Sequence, residues 1–170
     1  ELAKQLKAQG HTPISLVRRQ PAGPDEVFID AEKGQFDQSV MNTIDAVVNL
    51  AGSTTGKIPW TKKYMQEIVD SRLKTTRLLV QAINQSSNPP KVLISGSASG
   101  IYGDRGDEWL DEESGKGTGF LSDLAFQWEQ EALKAKTRVV LIRTTMVMSK
   151  KLGALGKLLP LIKLGVGGAL

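Results

Sequence analysis

The stretch Lys91–Gly103, KVLISGSASGIYG, holds the residues best placed to take part in chemistry. Ser95, Gly96, Ser97, Ala98, Ser99 and Gly100 all carry small side chains, so another molecule can approach the backbone closely. Tyr102 follows, an aromatic ring with a polar tip. Ahead of the serines, Val92-Leu93-Ile94 is apolar without alternation. Such a run predicts a strand buried on both faces of a helix-covered parallel sheet. Ligands of open α/β sheets bind outside the carboxyl ends of the strands, where this loop would lie. Asp45–Leu50 reads as another buried strand, followed by Ala51-Gly52-Ser53.

Other chemistries are poorly supplied. There is no Cys, hence no disulfide and no thiolate metal site, which fits a reducing compartment. The single His, His11, follows Gly10 and reads as a turn residue, so a transition-metal site is not expected. The acidic segment Asp104, Asp107, Glu108, Asp111, Glu112 and Glu113 lacks the calcium-loop spacing and reads as a solvated loop. The net charge is +4, with small clusters at Arg18-Arg19, Lys62-Lys63 and Lys150-Lys151. No basic run is long and none is interleaved with aromatics. The charge therefore serves solubility and one phosphate site, not a nucleic-acid surface. No apolar stretch is long enough to span a bilayer. A cytoplasmic protein with no nucleic-acid or membrane partner is the expectation.

The elements that must position these residues alternate. Glu1–Gln9 reads as the interior of an amphipathic helix stopped by Gly10. Thr12–Val17 is β-branched and reads as a strand, Glu26–Ile29 as a short strand closing at Asp30, and residues 31–42 as a helical turn. Thr61–Gln85 is the strongest helical signal, with Thr61 as N-cap and apolar residues at three- and four-residue spacing. Phe120–Lys134 reads as a helix with Leu121, Leu124, Ala125, Trp128 and Ala132 on one side. Arg138–Met148 reads as a strand, and Leu155–Leu164 as a short helix interrupted by Pro160. Strands alternating with helices imply βαβ units, a parallel sheet and helices on both faces. The mid-helix start and the glycine-rich end, Gly167-Gly168, suggest a fragment of a longer protein.

Asn49-Leu50-Ala51-Gly52, Trp60, Asp70-Ser71-Arg72 with Thr75-Thr76, and Ser95–Gly103 running into Asp104–Glu108 together resemble the short-chain dehydrogenase/reductase superfamily. More narrowly, they resemble its atypical, extended branch of NAD-dependent epimerase/dehydratase-like proteins, also labelled nucleoside-diphosphate-sugar epimerase-like. Arg143-Thr144 and the closing glycines fit the same branch. The resemblance implies a Rossmann-like doubly wound parallel sheet. It also implies that a first strand with its glycine-rich turn precedes the chain, and that a C-terminal substrate region follows. The missing strand would sit between Thr12–Val17 and Asp45–Leu50, and without it the chain is expected to bind dinucleotide weakly. Residues 1–150 would form the NAD(P)-binding domain and 151–170 the start of the substrate-binding region.

The resemblance also assigns roles. Arg18 and Arg19 stand where the second strand of such a unit ends, where arginine suits a 2′-phosphate and an acid suits NAD. NADP(H) is thus favoured over NAD(H). Asp30 stands where relatives contact the adenine, or it is a turn-forming Asp. Asn49, Leu50, Ala51 and Gly52 form a wall for the nicotinamide side, with Ser95 beside them. Arg72 suggests an ion pair or a phosphate contact, with a snorkelling surface arginine as the plain alternative. Ser97 matches the catalytic serine or threonine, and Tyr102 belongs to the Tyr-Gly element. The usual Tyr-x-x-x-Lys pair is absent, since Phe120-Leu121-Ser122-Asp123-Leu124 occupies that segment. Proton transfer then falls to Ser97, Tyr102, Asp123 or Glu129, or the protein is a catalytically silent nucleotide-binding or sensor protein. A partner-binding α/β domain without ligand is a third reading. The leading one is an NADP(H)-binding oxidoreductase or epimerase-like protein acting on an unknown small molecule, with a homodimer left open.

Overall fold

The alternation of short apolar runs with helical periodicity folds as an α/β protein. The computed structural model describes residues 1–147 and 154–165. In chain order the elements are α1 (Leu2–Ala8), β1 (Ser15–Val17), β2 (Glu26–Asp30), β3 (Gln35–Phe36), a 3₁₀ turn (Gln38–Asn42), β4 (Ala46–Asn49) and α2 (Lys62–Gln85). Then come β5 (Val92–Ala98), a second 3₁₀ turn (Ser99–Tyr102), α3 (Phe120–Ala132), β6 (Arg138–Thr144) and α4 (Ala154–Lys163). The strands form two three-stranded sheets, ordered β1-β2-β3 and β4-β5-β6. β1 pairs parallel to β2, and β4 parallel to β5. Among the described residues β1 and β4 each have one strand neighbour.

Two compact units divide the chain: Glu1–Ser95 with Gln127–Leu141, and Gly96–Phe126 with Ile142–Leu170. The core of the first gathers Ile29, Met41, Val47, Leu79, Ile83, Leu93 and Ala132. Helix α2 supplies its largest face, as its three- and four-residue spacing requires. Thr61 caps that helix by accepting from the Tyr64 amide at 3.2 Å. At the other end the Asn42 carboxamide oxygen accepts from the Ser86 hydroxyl at 2.7 Å and the Ser87 amide at 3.0 Å. This ties the exit of α2 to the turn before β4.

Several expectations are corrected. Residues 31–42 do not form a helical turn alone: β3 turns back antiparallel on β2, pairing Ile29 with Phe36. Gly34, at φ 66°, supplies the left-handed residue that the tight reversal needs. β4 is not buried on both faces. Val47 and Asn49 are buried while Val48 is 42% and Leu50 58% exposed, so the strand alternates. Thr12–Ile14 lie outside β1. β5 does not break at Ser95 but runs on to Ala98, because small residues can be strand as well as loop. On α3, Leu121 is 42% exposed and Ser122 takes the buried place, its hydroxyl donating to the Ile101 carbonyl at 2.6 Å. Pro160 lies inside α4, not at a break. Lys150-Lys151, Met148 and Gly167-Gly168 lie outside the described residues. No helix of the described residues is long and apolar enough to cross a membrane.

Candidate functional site

The register of the second sheet sets Asn49, the last residue of β4, opposite Ser95, and β5 continues three residues further to Ala98. Asn49 is 2% exposed and Ser95 fully buried. The Asn49 carboxamide donates to the Thr76 hydroxyl of α2 at 2.8 Å and accepts from the Ala51 amide at 3.2 Å. Thr76, itself fully buried, also accepts from the Trp128 indole N–H of α3 at 2.9 Å. One hydroxyl thus joins strand, helix and helix. Asn49 points inward: it shapes the turn at Ala51-Gly52 and does not line the surface. Leu50 and Gly52 are the exposed members of that turn.

Past the turn, α2 holds the loop from below. The Ser53 amide donates to Ser71 Oγ at 2.9 Å, and Ser53 Oγ to Glu67 at 2.9 Å. Arg72 donates from Nη1 to the carbonyls of Ser53 and Ile68 at 3.1 and 3.0 Å. Its guanidinium carbon lies 5.3 Å from the centroid of the Trp128 ring. Gly52 packs against this head: a Cβ there would stand 2.9 Å from Arg72 Cζ and would displace the guanidinium. Burial pulls the guanidinium below its ordinary pKa, with Tyr64 acting weakly in the opposite sense. An arginine stays charged under such a shift.

At the end of β1 the arginine pair divides. Arg19 grips Glu26 with both terminal nitrogens, at 2.7 and 2.6 Å, and its pKa rises through that contact. Arg18 is exposed and has no bonded partner among the described residues. Asp30 caps the turn into β3, its Oδ1 accepting from the Glu32 and Lys33 amides at 3.0 and 3.1 Å. Hydrogen bonding from Lys33 holds that carboxyl below its usual range, against a smaller opposing effect of burial.

In the second unit Ser97 is 3% exposed, and its carbonyl accepts from Thr144 Oγ1 at 3.3 Å. Tyr102 is half-buried. Its hydroxyl accepts from Arg143 Nη1 at 2.9 Å, and the Arg143 guanidinium carbon lies 5.2 Å from its ring centroid. Arg143 also holds the Glu112 carbonyl at 2.9 Å. Sequence reasoning grouped Arg143 with a motif but gave it no task; an arginine downstream of a Tyr-Gly element was the available signal. It likewise gave Thr76 and Trp128 no place in the site. Leu124 is buried and Phe120 half-buried, Asp123 pairs with Lys116 at 2.6 Å, and Glu129 is 4% exposed. No cluster of metal-ligating side chains occurs among the described residues.

Parallel strands crossed over by helices, with small-residue turns at their carboxyl ends, define a Rossmann-like nucleotide-binding class of fold. The sequence profile of the NAD-dependent epimerase/dehydratase family matches residues 1–161, and the chain belongs to that family. It is 38% identical over 169 residues to Epimerase family protein ML0860 of Mycobacterium leprae, covering 98% of this chain and 54% of that protein. To Epimerase family protein SDR39U1 of Homo sapiens it is 36% identical over 174 residues, covering 98% of this chain and 57% of that protein. The chain thus spans about half the length of the curated relatives it matches. The crystal structure of human SDR39U1 (isoform 2) with NADPH superposes with a TM-score of 0.84 at 32% identity, covering 98% of this chain and 56% of that one. The nucleoside-diphosphate sugar epimerase from Corynebacterium glutamicum gives a TM-score of 0.84 at 34% identity, covering 99% and 35%.

Proposed function

We propose that this chain is the nucleotide-binding part of an NADP(H)-binding oxidoreductase or epimerase-like protein whose small-molecule substrate is unidentified. Residues 1–150 serve as its NAD(P)-binding domain, residues 151–170 open its substrate-binding region, and its compartment is the cytoplasm. The observation that carries this is the exposed turn Leu50-Ala51-Gly52, braced from behind by Asn49 and set level with Ser95. The human relative crystallised with NADPH supports the cofactor. Arg18 favours the 2′-phosphorylated form, since its charge meets no acid among the described residues while that of Arg19 is balanced by Glu26. Asp30, although engaged in its own turn, stands at the end of β2 on the adenine side of this reading.

Bound NADP(H) would supply or accept a hydride. Ser97 then holds a substrate oxygen, and Tyr102, whose oxygen already accepts from Arg143, has its own O–H left to donate. Replacement of the Tyr-x-x-x-Lys pair by Phe120 and Leu124 favours a second reading, a catalytically silent nucleotide-binding or sensor protein.

The test is NADPH and NADH titration of the native protein, followed by NADPH oxidation with a panel of carbonyl compounds. Arg18→Ala is expected to weaken NADPH about tenfold, the loss of one charge-assisted contact, and to leave NADH unchanged. Arg19→Ala is expected to do less. Equal binding of NADPH and NADH by the parent protein would sink the phosphate assignment. NADPH binding without turnover, unmoved by Ser97→Ala or Tyr102→Phe, would select the silent reading.

A further inference from the structure

Arg72 is placed unlike the arginines that pair with acids. Arg19, Arg77 and Arg105 each meet an acid, namely Glu26, Glu131 and Glu108. Arg72 forms no ion pair among the described residues, and both of its hydrogen bonds leave from Nη1 toward carbonyls. Glu67, on the same helix, takes the Ser53 hydroxyl instead. A guanidinium carries five N–H donors in one plane, so Nε and Nη2 are uncommitted. Among the described residues no fully buried side-chain nitrogen lacks a partner, so these two nitrogens are not fully enclosed. The head is also fixed. Two carbonyls pin Nη1, the Trp128 ring lies beside it, and Gly52 closes over it, the site of an added Cβ falling 3.1 Å from Nη2 and 3.2 Å from Nε. A half-buried cation is thus held with its donor edge presented in one orientation. Such an edge matches two oxygens of a phosphate or carboxylate, and little orientational freedom remains to be lost on binding.

We propose that the Nε–Nη2 edge of Arg72, beside the turn that ends β4, binds an oxyanion, phosphate or carboxylate. The site deepens the nucleotide reading, and its source is either a phosphate of the nucleotide or an anionic group of a second ligand. Inorganic phosphate is the probe. In the native protein, the Arg72 Nε–H cross-peak, identified by its loss in Arg72→Lys, is expected to shift saturably with phosphate, measured against sodium chloride at equal ionic strength. The Arg77 and Arg105 peaks, whose donors face acids, are expected to stay. Arg72→Lys keeps charge but loses the fork, and phosphate affinity read from the remaining loop amides is expected to fall about tenfold. Gly52→Ala keeps the arginine but displaces it, with a similar loss. Displacement of phosphate by NADPH names the nucleotide as the source; simultaneous binding names a separate ligand. An Arg72 peak that moves only with ionic strength, in step with Arg77, overturns the site. Failure of NADPH to bind while the phosphate shift persists removes the nucleotide reading and leaves this one standing.

Discussion

Replacing Thr76 with valine tests the buried junction that shapes the candidate site. Valine keeps the shape and removes one oxygen. That oxygen accepts from Asn49 at 2.8 Å and from Trp128 at 2.9 Å, and Thr76 is fully buried, so no water stands ready to substitute. Each donor left unpaired costs about 1–3 kcal/mol, so the pair costs about 2–6 kcal/mol. For a chain of this size that lowers the melting temperature by roughly 10 °C. Thr76→Ser restores the acceptor and loses only a methyl, at about 1 kcal/mol. Urea denaturation of the native protein and both variants reads the difference, and nucleotide titration reads the effect on the Asn49-supported turn. Two results refute the reasoning: a valine variant within about 0.5 kcal/mol of the parent, or a serine variant as costly as valine.

The remaining predictions concern other joints of the structure. Burial alone would raise the carboxyl of Glu131, but hydrogen bonds from Arg77 and Lys134 overcome this and hold it below its usual range. Its contribution is therefore complete above the unfolded value of about 4.3 and is lost as pH falls through the lower folded value. Glu131→Gln should flatten the acid limb of urea midpoints against pH, and parallel curves would contradict this. In the second unit, a Cβ on Gly117 would collide with the Tyr102 carbonyl, whereas one on Gly115 meets nothing within 4 Å. Gly117→Ala should therefore cost about 3 kcal/mol and open the loop to proteolysis near Trp109, with Gly115→Ala neutral; equal effects would show that the contact is not tight. Asn42→Ala should cost about 1–2 kcal/mol by releasing the Ser86 and Ser87 groups at the end of α2, with Asn42→Asp largely restoring them.

Much of this fold is legible in the periodicity of its sequence. The long helix through Ile68, Leu79 and Ile83 announces itself because a single stripe faces the core. β3 was not legible, since Gln35–Phe36 is too short to alternate and exists only by pairing with β2. The exposure of Val48 and Leu50 was hidden for a different reason: an apolar run says what a strand can bury, not what covers it. At the site, residue type pointed to Arg72 and Asn49 but not to their orientation. The turning inward of Asn49 depends on Thr76, 27 residues away, and the guanidinium of Arg72 lies beside Trp128 of another helix. The commitment of Arg19 to Glu26 was equally invisible, because only the β1–β2 pairing brings the two together.

The inward carboxamide of Asn49 has a consequence for assembly of the sheet. Val47 and Asn49 share a face, and apolar burial alone would tolerate β4 sliding by two residues along β5. Such a slide puts a hydrocarbon against the hydroxyl of Thr76 and parts the Asn49 carboxamide from its buried acceptor. An unpaired buried amide is costly, so this one polar contact singles out the observed register where hydrophobic packing does not.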